Sequence, residues 1–210
     1  MTFKTKRTSL KRLPHRGYYD RETIYPIIDE AMICSIGVIH EKKPLVIPTI
    51  HARDKNQLYI HGSAASRLLN TIPGNDEICV SITIMDGIVL ARSAFHHSMN
   101  YRSVVIFGAG QIVDLIGEKL HSLKVISDHL IPGRWDDVRK PNKKELNATT
   151  VIKINLEEAS AKLRYGSPID DQEDYDLPVW AGVIPLSVKK GKLIPDPLLH
   201  NNIPIPDYLK

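Results

Sequence analysis

Strand-like runs follow one another along most of this chain with only short turns between them, and that succession restricts the fold more than any other feature. ICSIGVIH is separated from LVIPTIHAR by the turn EKKP, and the turn DKNQ leads into LYIHG. EICVSITIM and IVLARSAFH flank Asp86-Gly87, a dipeptide suited to a tight hairpin turn. Segments 101–112, 149–156 and 179–188 have the same β-prone composition. Helical spacing is confined to three places. In 20–32 Asp20 can cap and Ile24, Ile27, Ile28 and Met32 share a face; the others are a short segment around Arg67 and the segment 114–130. Helices this few and scattered do not make a repeating βαβ sheet. Sequential strands on short connections favour an antiparallel sheet closed into a barrel, a mainly β fold with a few helices.

Residues 58–69, LYIHGSAASRLL, read as a strand that stops at Gly62 and turns straight into a helix. Ser63 is a natural N-cap, and Ala64, Ala65, Leu68 and Leu69 favour helix. A helix start offers free N–H groups and a positive dipole end, and Ser66 and Arg67 add a hydroxyl and a fixed charge. The set suits a phosphate group. It also reads as an ordinary capped helix with an exposed arginine. The next turn is expected at Pro73-Gly74-Asn75-Asp76.

At 210 residues, 42% hydrophobic and 25% charged, the chain can bury a full core without disulfide or metal staples. A basic tail over 1–17 and a single domain over 18–210 are expected. Six basic residues and no acid lie in the first sixteen positions, so 22 of the 28 basic residues face 24 acidic ones in the rest. The basicity of the tail reads as a solvated arm, and no nucleic-acid groove is expected. No apolar run reaches membrane-spanning length and no signal peptide is evident, so the expectation is a cytoplasmic protein without a membrane partner. Cys34 and Cys79 sit in apolar strand-like runs and fit neither a metal motif nor a disulfide framework. Segment 166–178 is acidic and poor in apolar residues, as a loop would be.

VVIFGAGQIVDLIGEKL imitates a dinucleotide fingerprint, but the third glycine position is Val113 and the partner strand ending in an acid is missing. A barrel strand bending at Gly108–Gly110 fits better. Glu118 and His121 have E-x-x-H spacing in a single copy, which reads as helix surface rather than a di-iron site. His96 and His97 are adjacent, and on a strand they would face opposite ways and could not share a metal. No metal site, Ser-His-Asp order or G-x-S-x-G elbow is evident, and no catalytic residue is assigned.

HGSAASRLL, HHSMNYRSVVIFG, the E-K-L of 118–120, PGRWDDVRKPNKKELNATTVIKI, SAKLRYGSP and LPVWAGVIPL follow one another in this order. Together they resemble the flavin-nucleotide-binding proteins related to pyridoxamine 5′-phosphate oxidase, including the nitroimidazole-resistance type. The resemblance spans roughly residues 13–205 and rests on many linked motifs. It implies a split β-barrel that binds FMN non-covalently, and a homodimer whose two sites are each built from both subunits. The cofactor-binding set it implies begins with His61, Gly62, Ser63, Ser66 and Arg67 around the phosphate. Pro48, Thr49 and Ile50 run along the flavin ring, Asn100, Tyr101, Arg102 and Ser103 line the site, and Trp180 approaches from the partner. Leu68 stands where relatives often carry a lysine.

The resemblance therefore implies a flavin-dependent oxidoreductase with a small-molecule substrate or electron acceptor and NAD(P)H as a candidate donor. Two alternatives stay open. One is a non-enzymatic flavin- or haem-binding protein, with His51, His61, His96 and His97 as candidate axial ligands. The other is a pyridoxamine 5′-phosphate oxidase with an altered substrate clamp. The R-L-H motif that grips that substrate in true oxidases is missing, because Val183, Ile184 and Pro185 follow the tryptophan segment. Lys162 and Arg164 are the substitutes at hand.

Overall fold

Ten strands form one antiparallel sheet wrapped around a large apolar core, in a computed structural model that describes residues 2–75, 77–200 and 202–210. The chain enters through β1 (Gly17–Tyr18) and α1 (Arg21–Glu30). Asp20 caps α1 by accepting from Thr23 N at 2.8 Å, and Ile24, Ile27 and Ile28 are buried on its inner face. Met32 lies beyond the helix and is exposed.

The strands β2 (Ile33–His40) and β3 (Lys43–Asp54) form a hairpin tighter than EKKP suggests. Glu41 and Lys42 alone make the turn, both with positive φ (49° and 62°), so Lys43 and Pro44 already belong to the strand. A second tight turn at Lys55 and Asn56 leads to β4 (Gln57–Ser63) and the short α2 (Arg67–Thr71). A 3-10 turn over Ile72–Gly74 follows; Asp76, the last residue of the expected turn, lies outside the described residues.

The expected hairpin at Asp86-Gly87 does not form. β5 (Ile78–Leu90) runs straight through it, and the ladder to β6 (Ser98–Gly108) carries only a bulge between Met85 and Gly87. The glycine serves close packing instead: a Cβ there would stand 2.9 Å from Val183 Cγ1 and 3.1 Å from the Ile184 carbonyl oxygen. Those residues belong to β10 (Gly182–Pro185), which pairs with β5 and covers only part of the strand expected over 179–188. The real reversal is the loop between β5 and β6, with a 3-10 turn at Ala94–His96 that removes His96 from a strand.

The expected single strand over 101–112 is two. β6 pairs with β5 and with β9 (Glu158–Arg164), whereas β7 (Gly110–Ile112) pairs with β8 (Thr149–Asn155), so the chain changes neighbours at Gly108–Gly110. A side chain at Gly110 would collide with Ile72. This bend leaves no dinucleotide turn there.

Helix α3 (Ile116–Leu130) covers the outer face of β3, β4 and β8, burying Ile126 with Ala52, Tyr59, Val113 and Val151. Two short helices that composition did not signal follow, α4 (Arg134–Asp137) and α5 (Lys143–Ala148). The second carries a complete capping box, Asn142 with Glu145.

The first residues are not a solvated arm. Phe3 and Thr8 are buried, Phe3 N donates to Tyr19 O at 2.9 Å, and Arg7 pairs with Glu158 at 2.7 Å and with Glu77. Apolar and charge-paired side chains hold a segment whose net charge alone suggested solvent. Cys34 is buried and its thiol is pushed up to about 12 by burial, as expected of a core cysteine. Among the described residues no helix is long and apolar enough to cross a membrane.

Candidate functional site

The ladder between β3 and β4 runs from Asp54 and Gln57 to His51 and Ile60 and then stops. Beyond it, Ile50, Thr49 and Pro48 pair only with β2, and His61, Gly62 and Ser63 pair only with β8. The sheet splits here, and among the described residues each strand keeps an edge of backbone donors and acceptors without a strand partner. Such an edge can hydrogen-bond the polar rim of a flat ligand.

The turn after β4 differs from its sequence reading in one respect. The helix is capped by Ser66, not Ser63: Ser66 Oγ accepts from Leu69 N at 3.5 Å, while Ser63 Oγ accepts from Ala65 N at 3.2 Å. Ser66 N donates to Ser63 O at 2.8 Å and Ala64 N to Ala148 O at 2.9 Å, so the N–H groups of residues 64–66 are used inside the chain. The groups of this turn left to meet a ligand are the hydroxyls of Ser63 and Ser66, the first N–H groups of α2 and Arg67, which is exposed and has no ion pair among the described residues. Gly62 lets α2 pack against the strand end, since a Cβ there would lie 3.1 Å from Leu69 Cδ1.

The remaining expected residues lie elsewhere in the same chain. Asn100–Ser103 are on β6, three strands along the sheet from β3, and Trp180 precedes β10 on the far side of β5. Asn100 is buried, donates to Gly166 O at 3.1 Å and accepts from Arg164. Tyr101 lies opposite Arg164 in the ladder, and Ser103 Oγ donates to Lys162 O at 3.2 Å. Arg102 forks between Glu30 at the end of α1 and Asp86 at the β5 bulge; each holds its charge, and Arg102 in turn keeps the Glu30 carboxyl below the usual range. The Trp180 indole is two-thirds exposed and lies over Gly182, where a Cβ would meet it at 2.9 Å. One chain thus holds the expected residues apart: the split with its Arg67 turn, the β6 residues three strands away, and Trp180 beside β10, with β5 between the last two.

The four candidate axial histidines have different surroundings. His51 is fully buried, with Nε2 on the Ile28 carbonyl at 3.0 Å. His97 Nδ1 accepts from Ala91 N at 3.2 Å, and His96 Nε2 meets Asp171 at 3.2 Å. His61, beside the split, has a buried Nδ1 with no hydrogen-bond partner, and burial lowers its pKa. Glu118 pairs with Lys153 and His121 with Asp54, which makes them surface helix residues; no metal-binding cluster exists among the described residues. Sequence reasoning missed Glu30 and Asp86. They meet Arg102 across separations of 72 and 16 residues, and no local motif signals that.

A split antiparallel barrel with a basic turn at the split defines a class of ligand-binding barrels rather than a single activity. The sequence profile of the pyridoxamine 5′-phosphate oxidase family matches residues 20–163, and the chain belongs to that family. No curated protein matches it in sequence. Among solved structures, the flavocytochrome Anf3 from Azotobacter vinelandii is 36% identical with a TM-score of 0.93, covering 98% of this chain and 95% of that one. The FAD and haem binding protein from Mycobacterium smegmatis is 31% identical with a TM-score of 0.88, covering 92% and 95%. A candidate 5-nitroimidazole antibiotic resistance protein from Bacteroides thetaiotaomicron shares the fold at 22% identity and a TM-score of 0.59, over 70% of this chain and 85% of that one.

Proposed function

We propose that this chain is a redox protein that binds a flavin nucleotide and a haem, as a homodimer. The observation that carries the reading is the near full-length similarity to two proteins that each hold both groups, a flavocytochrome and a FAD and haem binding protein. The residues present suit such cofactors. The free strand edge of Pro48, Thr49 and Ile50 suits the polar rim of a flavin, and Arg67 with the hydroxyls of Ser63 and Ser66 suits the phosphate next to its ribityl chain. FMN and FAD share that phosphate. No C-x-x-C-H motif exists for covalent haem attachment, so the haem is held non-covalently. His61 is the candidate axial ligand, because it is the one of the four histidines whose ring nitrogens carry no hydrogen bond among the described residues.

When bound, these cofactors supply the electron transfer, and the protein supplies binding, orientation and electrostatics. The separation of the Arg67 turn from the exposed Trp180 supports a dimer in which one subunit offers the first and its partner the second. The reaction class is oxidoreductase, with NAD(P)H as a candidate donor to the flavin and a small molecule as acceptor.

The test is the absorption spectrum of the purified protein with extraction of its cofactors, followed anaerobically with NADH or NADPH. The reading requires a flavin band, a Soret band, and loss of the Soret band in His61→Ala. Extraction tells FMN from FAD. A protein that takes up neither group when both are added overturns the reading.

A further inference from the structure

A small pocket of about 200 Å³ lies where the N-terminal turn meets the end of β9, away from the split. Its walls include His15, Arg16, Tyr18, Arg164, Ser167 and Ile169. Arg164 is buried to 8% exposure. Its Nη1 donates to Asn100 Oδ1 and, at 3.4 Å, to Gly166 O; its Nη2 donates to Ser167 O at 3.3 Å. That leaves Nε–H and one Nη2–H without an acceptor among the described residues.

Neither Arg164 nor Arg16 has a carboxylate partner among the described residues. The nearest acid on the pocket loop, Asp170, is committed elsewhere: it accepts from Arg92 N at 2.9 Å and from the Arg92 guanidinium at 3.1 Å. Burial and the neighbouring Arg16 charge both work against the Arg164 cation, in that order. Two like charges, one of them desolvated, face the same small space without compensation, which is costly unless an anion joins them. The wall is fixed rather than loose, because Asn100 holds Gly166 and Arg92 holds Asp170.

We propose that this pocket is an anion-binding site that takes the oxyanion head, phosphate monoester or carboxylate, of a small molecule. Arg16 and the spare donors of Arg164 hold the head, with Tyr18 and Ser167 in the walls beside it. The volume is below the usual range for a whole cofactor, about 300–1,000 Å³, and fits a head group with a small apolar body against Ile169. This site does not rest on the flavin and haem reading: Asn100 of β6 holds Arg164, but none of the pocket's lining residues belongs to the Arg67 turn, to the free edge of β3 or to Asn100–Ser103.

The test is calorimetric titration of the full-length protein as purified with phenyl phosphate, benzoate and phenol. Saturable binding of one or both anions, none of phenol, and at least tenfold weakening in Arg16→Gln are expected, with binding retained in Arg67→Ala. Phenyl phosphate and benzoate tell the two head groups apart. A melting temperature of Arg16→Gln no lower than that of the unaltered protein shows that the pocket itself was tested; Arg16→Lys, which keeps the charge, should retain part of the affinity. Absence of saturable binding, equal binding by Arg16→Gln, or loss of binding in Arg67→Ala overturns the proposal.

Discussion

His51 donates from Nε2 to the backbone carbonyl of Ile28 at 3.0 Å, which ties β3 to the last turn of α1 inside the core. A carbonyl only accepts, so Nε2 carries a proton, and Nδ1, buried without a partner, has nothing to stabilise a second one. Burial pushes the pKa down from 6.5 to about 4. Between those values the unfolded chain takes up a proton that the folded chain refuses. The stability this ring contributes is therefore full above about pH 6.5 and is lost as the pH falls toward 4, by about 3 kcal/mol. Urea unfolding at pH 7 and pH 4.5 measures it, and His51→Gln should flatten the dependence while keeping a donor toward Ile28.

Arg67→Ala should weaken binding of FMN or FAD by about 1.5–3 kcal/mol, the size of a charge-assisted hydrogen bond. Riboflavin, which lacks the phosphate, should bind the variant and the unaltered protein alike. Fluorescence titration reads both. An equal loss for riboflavin would place Arg67 outside the phosphate contact.

Gly87 tests the packing of β10 on β5. Gly87→Val sets a branched side chain against Val183 and the Ile184 carbonyl, already 2.9 and 3.1 Å from a bare Cβ. Overpacking of this kind costs about 1–3 kcal/mol. The urea midpoint should fall accordingly, and an unchanged midpoint would mean that β10 is free to shift.

Oxidation of pyridoxamine 5′-phosphate should be negligible. Hydride transfer needs the substrate held in near-attack geometry. Val183, Ile184 and Pro185, which stand in place of the oxidase clamp, are paired with Val89, Ile88 and Gly87 in the ladder. Pyridoxal 5′-phosphate formation under oxygen by flavin-loaded protein is the measurement, and sustained turnover would refute the expectation.

The strand succession and the capped helix at Asp20 were legible because apolar period and cap chemistry act over a few residues. Asp86-Gly87 misled because the same dipeptide suits a hairpin and a bulge, and the choice is made by β10, almost a hundred residues on. The Ser63–Arg67 turn was visible as a composition; which serine caps it depends on where Ala148 meets Ala64. The Arg7 contacts with Glu77 and Glu158 show the limit from the other side, since a basic tail is told from a docked one only by distant acids.

The change of neighbours at Gly108–Gly110 also sets the order in which the chain can assemble. β5 and β6 can zip together as soon as both exist, but the other edge of β6 waits for β9, with β7, α3, α4, α5 and β8 made in between. During synthesis that edge is bare, carrying Val104 and Ile106 with unpaired backbone groups. Until β9 emerges from the ribosome, β6 is exposed to pairing with a neighbouring nascent chain, and the barrel closes late and through distant contacts.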